Sequence, residues 1–249
     1  MKSWLRRRLQ AWLGPERYLD LFARHKLLVF PWTRQGADFG RFLRAIPGEG
    51  LALDIGANVG FTTALLARRV RQGLVHAYEP SPANFRALER LLGRQGIRNV
   101  VTHAHALGNE EGPIEMVTPI EAAARLPGLT HVVRGGAVSG AGERFTADCR
   151  VLDRMPEWFA PGPRVVALKI DVEDYEFEVL DGARRLLAVH RPLIFCELWD
   201  TENRRRCLEL ARQLGYSVRV HVERRLIPFD PGRHQKLDFF LLPAESTVE

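Results

Sequence analysis

The sequence predicts an α/β protein built on a mostly parallel sheet, preceded by a helical extension. Two observations carry this. Short apolar runs at 51–55, 74–78, 100–106, 165–170 and 193–198 alternate with stretches of helical period. Strands that alternate with helices of about 10–15 residues form βαβ units. The first run also leads straight into a turn holding Gly56 and Gly60, the place where a doubly wound sheet binds ligands.

Taken in order, residues 1–46 read as a helical extension. Trp4, Leu5, Leu9, Trp12 and Leu13 share one helical face, while Arg6, Arg7, Arg8 and Gln10 fall elsewhere. Such a face packs on its own domain, on a second subunit, or on an anionic membrane surface. A second short helix is expected at 41–46, stopped by Pro47 and Gly48. Residues 47–249 form the α/β domain. Its helices are expected from the glycine turn through 69, then at 82–95, 175–188 and 201–214, and strands at 216–222 and 237–242 close the chain. An inserted segment at about 112–155 breaks the alternation. It carries two strands, 114–118 and 145–152, around a loop with Gly135, Gly136, Gly140 and Gly142. A loop of that length is often functional or disordered.

Composition bounds the rest. Hydrophobic residues make up 46% of the 249, enough for a real core and outside the range of disordered chains. The three cysteines, Cys149, Cys196 and Cys207, form no short spacing, which argues against a disulfide framework or a zinc cluster and for a reducing compartment. Cys196 lies in an apolar run and is expected to be buried. The longest apolar stretch near the start, 27–32, falls far short of the roughly 20 residues of a membrane span. The start also lacks the apolar core of a signal peptide, so a soluble, cytoplasmic protein is expected. The net charge is +6, and among 36 basic residues only Lys2, Lys26, Lys169 and Lys236 are lysines.

Four motifs bear chemistry. Asp54-Ile-Gly56-Ala-Asn58-Val-Gly60-Phe-Thr62-Thr63 joins the first strand to its helix. It is not GxGxxG, and Asp54 would repel a pyrophosphate. A ligand with a cation and hydroxyls suits it better. Glu79 closes the second strand, where a carboxylate accepts hydrogen bonds from ribose hydroxyls; the alternative is an acidic cap on the helix after Pro80. Lys169, Asp171 and Glu173 follow the fourth strand, and charges facing a crevice cost desolvation, for which ligand binding or catalysis is the usual reason. The helix dipole would explain Glu173, Asp174 and Glu176, but not Lys169. Glu197, with Trp199 and Asp200, ends the fifth strand. Beside Asp171 it would hold a divalent cation or bind substrate hydroxyls.

These segments together resemble the FkbM family of S-adenosylmethionine-dependent methyltransferases. The matching pieces are Asp54 to Gly60 with Thr62 and Thr63, Tyr78-Glu79-Pro80 with Asn84, and Ala106-Leu-Gly108-Asn109-Glu-Glu-Gly112. Leu152-Asp153 and Lys169-Ile-Asp171-Val-Glu173 follow, the latter with Glu176, Leu180 and Gly182. The likeness spans residues 38–243. Asp174 departs from it, standing where the family has Gly and stiffening the turn beside Glu173. The resemblance implies a class I methyltransferase fold, a Rossmann-like seven-stranded sheet whose last strand is antiparallel. It implies O-methylation of a hydroxyl on a sugar, a glycolipid or polysaccharide, or a natural product. By this likeness Asp54, Gly56, Asn58 and Gly60 line the methionine and ribose side of the cofactor, and Thr62 also binds it. Glu79 holds the ribose, and Ala106, closing the third strand, lies near the adenine. A divalent metal is not expected.

An alcohol is a poor nucleophile, so a base within hydrogen-bond reach should help. Asp171 is the first candidate and Glu173 the second; Lys169 would steady an alkoxide or lock the carboxylates. His105, His131, His221 and His234 are further candidates, though a lone histidine near a strand is more often structural. Two rival readings are an RNA methyltransferase and a non-catalytic cofactor-binding interaction protein on the same fold. The basic balance suits the first. However, no Asn/Asp-Pro-Pro-aromatic segment follows the fourth strand, and the predicted site edge is acidic: Asp54, Glu79, Asp171, Glu173, Glu197. The arginine excess lies on the N-terminal segment and on scattered helix faces. It speaks for at most a weak peripheral membrane contact, and the Trp-bearing helix is also a candidate oligomer interface.

Overall fold

The computed structural model describes residues 3–121, 124–133 and 141–244, with side chains from residue 6 onward. The side chains of Trp4 and Leu5, and the loop glycines Gly135, Gly136 and Gly140, lie outside the described residues.

The chain opens with α1 (Ser3–Val29), bent at Gly14, whose φ of 73° precedes Pro15. After a turn of 3-10 helix at Phe30–Trp32 comes α2 (Arg34–Ala45). This second helix starts earlier than expected because Thr33 caps it, its hydroxyl accepting from the Gly36 N–H at 3.0 Å, a cap worth about 1 kcal/mol. Then follow β1 (Glu49–Ile55), α3 (Phe61–Arg69), β2 (Gln72–Tyr78), α4 (Pro82–Arg94) and β3 (Val100–His103). Next are β4 (Ala106–Leu107), β5 (Gly112–Glu121), β6 (Ala124–Arg125), β7 (His131–Val132) and β8 (Gly142–Arg150). The chain ends with β9 (Val165–Ile170), α5 (Glu176–Asp181), α6 (Arg184–His190), β10 (Leu193–Glu197), α7 (Glu202–Gln213), β11 (Tyr216–Val222), β12 (Arg225–Pro228) and β13 (Asp238–Pro243).

The main sheet runs β12-β11-β13-β10-β9-β1-β2-β3. β1 pairs parallel with β2 and β9, and β13 lies antiparallel between β10 and β11. Seven of its strands are those the sequence predicts. The eighth, β12, pairs antiparallel with β11 across Glu223-Arg224, both at positive φ (46° and 72°). A two-residue turn of that type is normally written Asn-Gly or Asp-Gly, so the hairpin carries no signal in the sequence.

The expected third strand, 100–106, is divided. β3 ends at His103, and Ala106 crosses into a second sheet, where it pairs with Cys149. That sheet is the inserted segment. β5 and β8 form a long antiparallel ladder from Gly112↔Cys149 to Pro119↔Gly142, with β6 and β7 attached to β5. The helix expected at 175–188 is likewise two helices, α5 and α6.

Helices cover both faces of the main sheet. On one side α5, α6 and α7 bury Val179, Leu186, Leu187 and Leu208 against Leu53, Leu168 and Ile194. On the other, Phe30, Phe39 and Phe42 pack on Phe195 and Phe240 of the sheet, with Phe39 and Phe42 each 5.5 Å from the Phe195 ring. α1 lies on α3 and α4, where Tyr18, Leu19, Ala23 and Leu27 meet Leu88 and Leu91. The N-terminal extension therefore buries one apolar face in its own fold, including the half-buried Leu9 and Leu13. All three cysteines are buried and free.

Candidate active site

The first strand and its turn build the floor of the site. Asp54 and Lys169 are direct cross-strand partners in the β1–β9 register. Their side chains are buried, with Nζ 3.3 Å from Oδ1. The Thr62 and Thr63 hydroxyls donate to Asp54 Oδ2 at 3.0 and 2.6 Å. Lys169 Nζ also donates to the Gly56 carbonyl at 2.7 Å and lies 3.6 Å from Asp171 Oδ2. Burial alone would lower the lysine's pKa, but the pairs with Asp54 and Asp171 hold it above its ordinary value. Asp54 and Thr62 thus sit beneath the loop rather than lining the crevice as expected. Asp54 is the inward-facing residue of a strand end, and its oxygens are taken up by the helix start and by Lys169. Lys169 locks carboxylates and backbone together.

The glycines also act mainly on their neighbours. A Cβ on Gly56 (φ +77°) would lie 1.9 Å from the Asp171 carbonyl oxygen, and one on Gly60 (φ +87°) 2.5 Å from Leu88 Cδ1. Missing side chains let β9 and α4 close on the turn. Asn58 (φ 52°) completes it, its N–H donating to Glu79 Oε2 at 2.8 Å. Glu79 Oε1 accepts from the Ser81 N–H at 2.9 Å and from Asn84 Nδ2 at 3.4 Å. Burial pushes the Glu79 carboxyl up to about 7 against those bonds.

Other motif residues prove to be scaffolding. Asp153 caps α6, accepting from the N–H groups of Arg185 and Leu186 at 2.7 and 2.9 Å. Buried Glu176 staples the loop after β9, accepting from the Val172 and Asp174 N–H groups at 3.1 and 3.2 Å and from Asn203 Nδ2 at 2.6 Å. A Cβ on Gly182 would meet the Gly108 carbonyl oxygen at 1.9 Å.

Along the carboxyl edge of the sheet these elements leave three adjoining compartments. The first is lined by Tyr78, His105, Ala106, Leu107, Met116 and Tyr175. The second is lined by Gly56, Asn58, Glu79, Asn84 and Thr130. The third is a wider cleft of about 460 Å³ between Asp171, Glu173 and Glu197 on one side and Tyr18, Phe22, Lys26 and Gln35 on the other. Asn58, Pro127, Gly128, Asp171 and Glu173 line both the second and the third. Asn84, Tyr78, Asn58 and His105 each carry a buried polar atom with no protein partner, and such atoms in native proteins call for a ligand or water.

The third compartment is carboxylate-rich. Burial, then Asp171 and Glu197, push Glu173 up to about 8. Burial and Asp171 push Glu197 up to about 7. Gln35 donates to Glu197 Oε2. Sequence reasoning brought Asp171, Glu173 and Glu197 to this edge but missed Phe22, Lys26 and Gln35. They lie on helices of the extension, where no motif marks them. Met116 and Thr130, from the inserted segment, were equally silent. His221 is paired with Asp38 at 2.5 Å, His131 faces its own turn at Leu129, and His234 accepts from the Asp230 N–H. Of the four candidate histidines, only His105 lines a compartment. Among the described residues no group of three or more His, Cys, Asp or Glu is placed to hold a metal ion, and no helix is long and apolar enough to cross a membrane.

The strand order, with the antiparallel β13 inserted between β10 and β11, and the crevice at the carboxyl edge define a Rossmann-like class I methyltransferase fold. Within that class, the chain belongs to the methyltransferase FkbM domain family, whose model matches residues 54–227. It is 25% identical over 148 residues to Methyltransferase 1 of Beauveria bassiana, covering 55% of this chain and 59% of that protein. To Methyltransferase sdnD of Sordaria araneosa it is 26% identical over 163 residues, covering 55% and 61%. The match thus spans about three fifths of the length of these relatives. A crystal structure of methyltransferase FkbM from Methylobacillus flagellatus superposes with a TM-score of 0.51 at 16% identity, over 78% of this chain and 44% of that one.

Proposed function

We propose that this chain is an S-adenosylmethionine-dependent O-methyltransferase whose acceptor is a hydroxyl of a sugar, a glycolipid or polysaccharide, or a natural product. The observation that carries the reading is the row of carboxylates Asp171, Glu173 and Glu197 in a cleft that opens from the Glu79 compartment. The residues present suit the cofactor. The unpartnered polar atoms of Tyr78 and His105 border the compartment at Ala106, fitting an adenine edge. Glu79, with Asn58 and Asn84 around it, suits ribose hydroxyls. The acidic surroundings favour a cation.

When bound, the cofactor supplies a methyl group on a sulfonium, ready for in-line transfer. The chain has two tasks, to align the acceptor oxygen and to take its proton. Alignment can lower the barrier by roughly 7–11 kcal/mol. Glu173, which borders both compartments with its carboxyl raised to about 8, is the stronger base of the two once ionised. Asp171, tied to Lys169, orients the hydroxyl. This reverses the order of the two candidates. Lys169 has its donors committed to Gly56 and to the two aspartates, so it serves as a positioning residue.

Calorimetry with S-adenosylmethionine and a methyl-transfer panel test the reading, the panel using a radiolabelled methyl donor with glycans, small hydroxylated molecules and RNA. Label is expected in hydroxylated acceptors. Glu173→Gln and Asp171→Ala are each expected to lower turnover by about 10²–10⁴-fold while cofactor affinity stays within a few-fold. Label in RNA alone, or no cofactor binding, would sink it.

A further inference from the structure

The outer side of α1 is unlike the rest of the surface. Arg17, Leu21, Arg24 and Leu28 recur at three- and four-residue spacing and so lie on one helical side, and Trp32 follows in the next turn. Leu21 is 49% exposed, Leu28 72% and Trp32 89%. Of the ten exposed large hydrophobic residues in the described structure, five fall between residues 12 and 32, so the apolar exposure is concentrated on this helix. Arg17 and Arg24 are exposed and form no ion pair among the described residues. The acids on the flanking side are already used: Glu16 pairs with Arg86, and Asp20 with Arg90 and Arg94. The stripe therefore presents apolar and positive groups with no carboxylate among them.

We propose that this stripe docks the protein on an anionic lipid surface. Leu21, Leu28 and Trp32 would enter the headgroup region, and the arginines would lie along it with their guanidinium groups on phosphates. Charge decides between this and a second copy of the chain. In a twofold contact the stripe would face itself, placing unpaired arginines together with no acid to offset them. Trp32 is the stripe's one aromatic ring, and Leu21 and Leu28 beside it give no face on which successive bases would stack. The sequence places membrane contact on the face with Leu9, Trp12 and Leu13, of which Leu9 and Leu13 are half-buried and Trp12 is exposed; the docking stripe lies further along the helix, beyond the bend at Gly14. The same helix lines the third compartment with Tyr18, Phe22 and Lys26, on a different side from the stripe, so docking leaves that lining uncovered. The proposal does not rest on the methyl-transfer reading.

The test is co-sedimentation of the whole protein with vesicles of phosphatidylcholine alone and of phosphatidylcholine containing phosphatidylglycerol, alongside light scattering and an RNA-binding assay. Binding to the anionic vesicles and little to the neutral ones is expected. Arg17→Ala with Arg24→Ala should weaken it about 30-fold, about fivefold per arginine at an anionic surface. Leu28→Ser with Trp32→Ser should also weaken it, with the circular dichroism spectrum unchanged. Absence of binding at low salt, binding indifferent to both pairs, a dimer dissolved by Leu28→Ser that ignores vesicles, or RNA affinity lost in place of lipid affinity would each overturn the proposal.

Discussion

Glu173 concentrates the chemistry of the site in one side chain. It sits at φ 55°, and burial with the charges of Asp171 and Glu197 raises its carboxyl from 4.5 to about 8. The folded state thus keeps a proton that the unfolded chain releases near 4.5. Stability from this group is fully present below about 4.5 and is lost as pH rises through about 8. Glu197, raised to about 7, acts in the same direction. The unfolding midpoint should therefore fall between about pH 5 and 8.5, and less steeply in Glu173→Gln, by denaturant titration across that range. On the proposed function, turnover should rise over the same interval, because Glu173 must be ionised to take the acceptor's proton. A midpoint that climbs with pH would contradict the assignment. Asp54 teaches a different lesson. Its identity was legible in the motif, but its direction was not. Whether a residue at a strand end faces the ligand or the floor depends on its partner in the next strand, and that partner, Lys169, lies 115 positions away.

At the scale of elements, the loop between β9 and α5 shows how strain is placed. Glu173 and Asp174 both take positive φ, 55° and 71°. Two successive left-handed residues turn the chain sharply, so that Glu173 faces the cleft while Glu176 staples the loop from inside. Glycine would adopt the second position freely; Asp tolerates it, with the Thr201 hydroxyl donating to its Oδ1 at 2.6 Å. Asp174→Ala should be less stable than Asp174→Gly by about 1 kcal/mol, because both lose that hydrogen bond and only alanine keeps a Cβ. Equal stability in chemical denaturation would show that the turn is not strained there. The strand–helix alternation was legible because hydrophobic period is a local property. The hairpin at Glu223-Arg224 and the passage of Ala106 into a second sheet were not. Positive φ without glycine, and a change of sheet, are imposed by packing rather than written in nearby residues.

At the scale of the whole molecule, the sequence separates a helical extension from an α/β domain, and the fold uses them together. Phe39 and Phe42 of α2 seal one face of the sheet. Gln35 reaches Glu197, and Phe22 and Lys26 form the wall opposite Asp171 and Glu173. Within the third compartment, Arg6 and Lys26 face the carboxylates Asp171, Glu173 and Glu197, with Lys26 5.2–6.0 Å from the ring centroids of Phe22, Phe30 and Phe61. The two compartments that the proposed function gives to the cofactor are lined from the ends of β1, β2, β4 and β9 and from the inserted segment, with no lining residue from α1. On the proposed function the two substrates would meet different parts of the chain, and a change in α1 should separate them. Phe22→Ala removes an aromatic wall of the third compartment, the acceptor cleft of the proposed function. It should raise the acceptor KM roughly tenfold, equivalent to about 1.4 kcal/mol, with cofactor affinity by calorimetry unmoved. Phe22→Leu, which keeps most of the apolar surface, should recover much of the loss. If cofactor affinity fell in step with acceptor affinity, α1 would be supporting the whole crevice rather than walling one side of it.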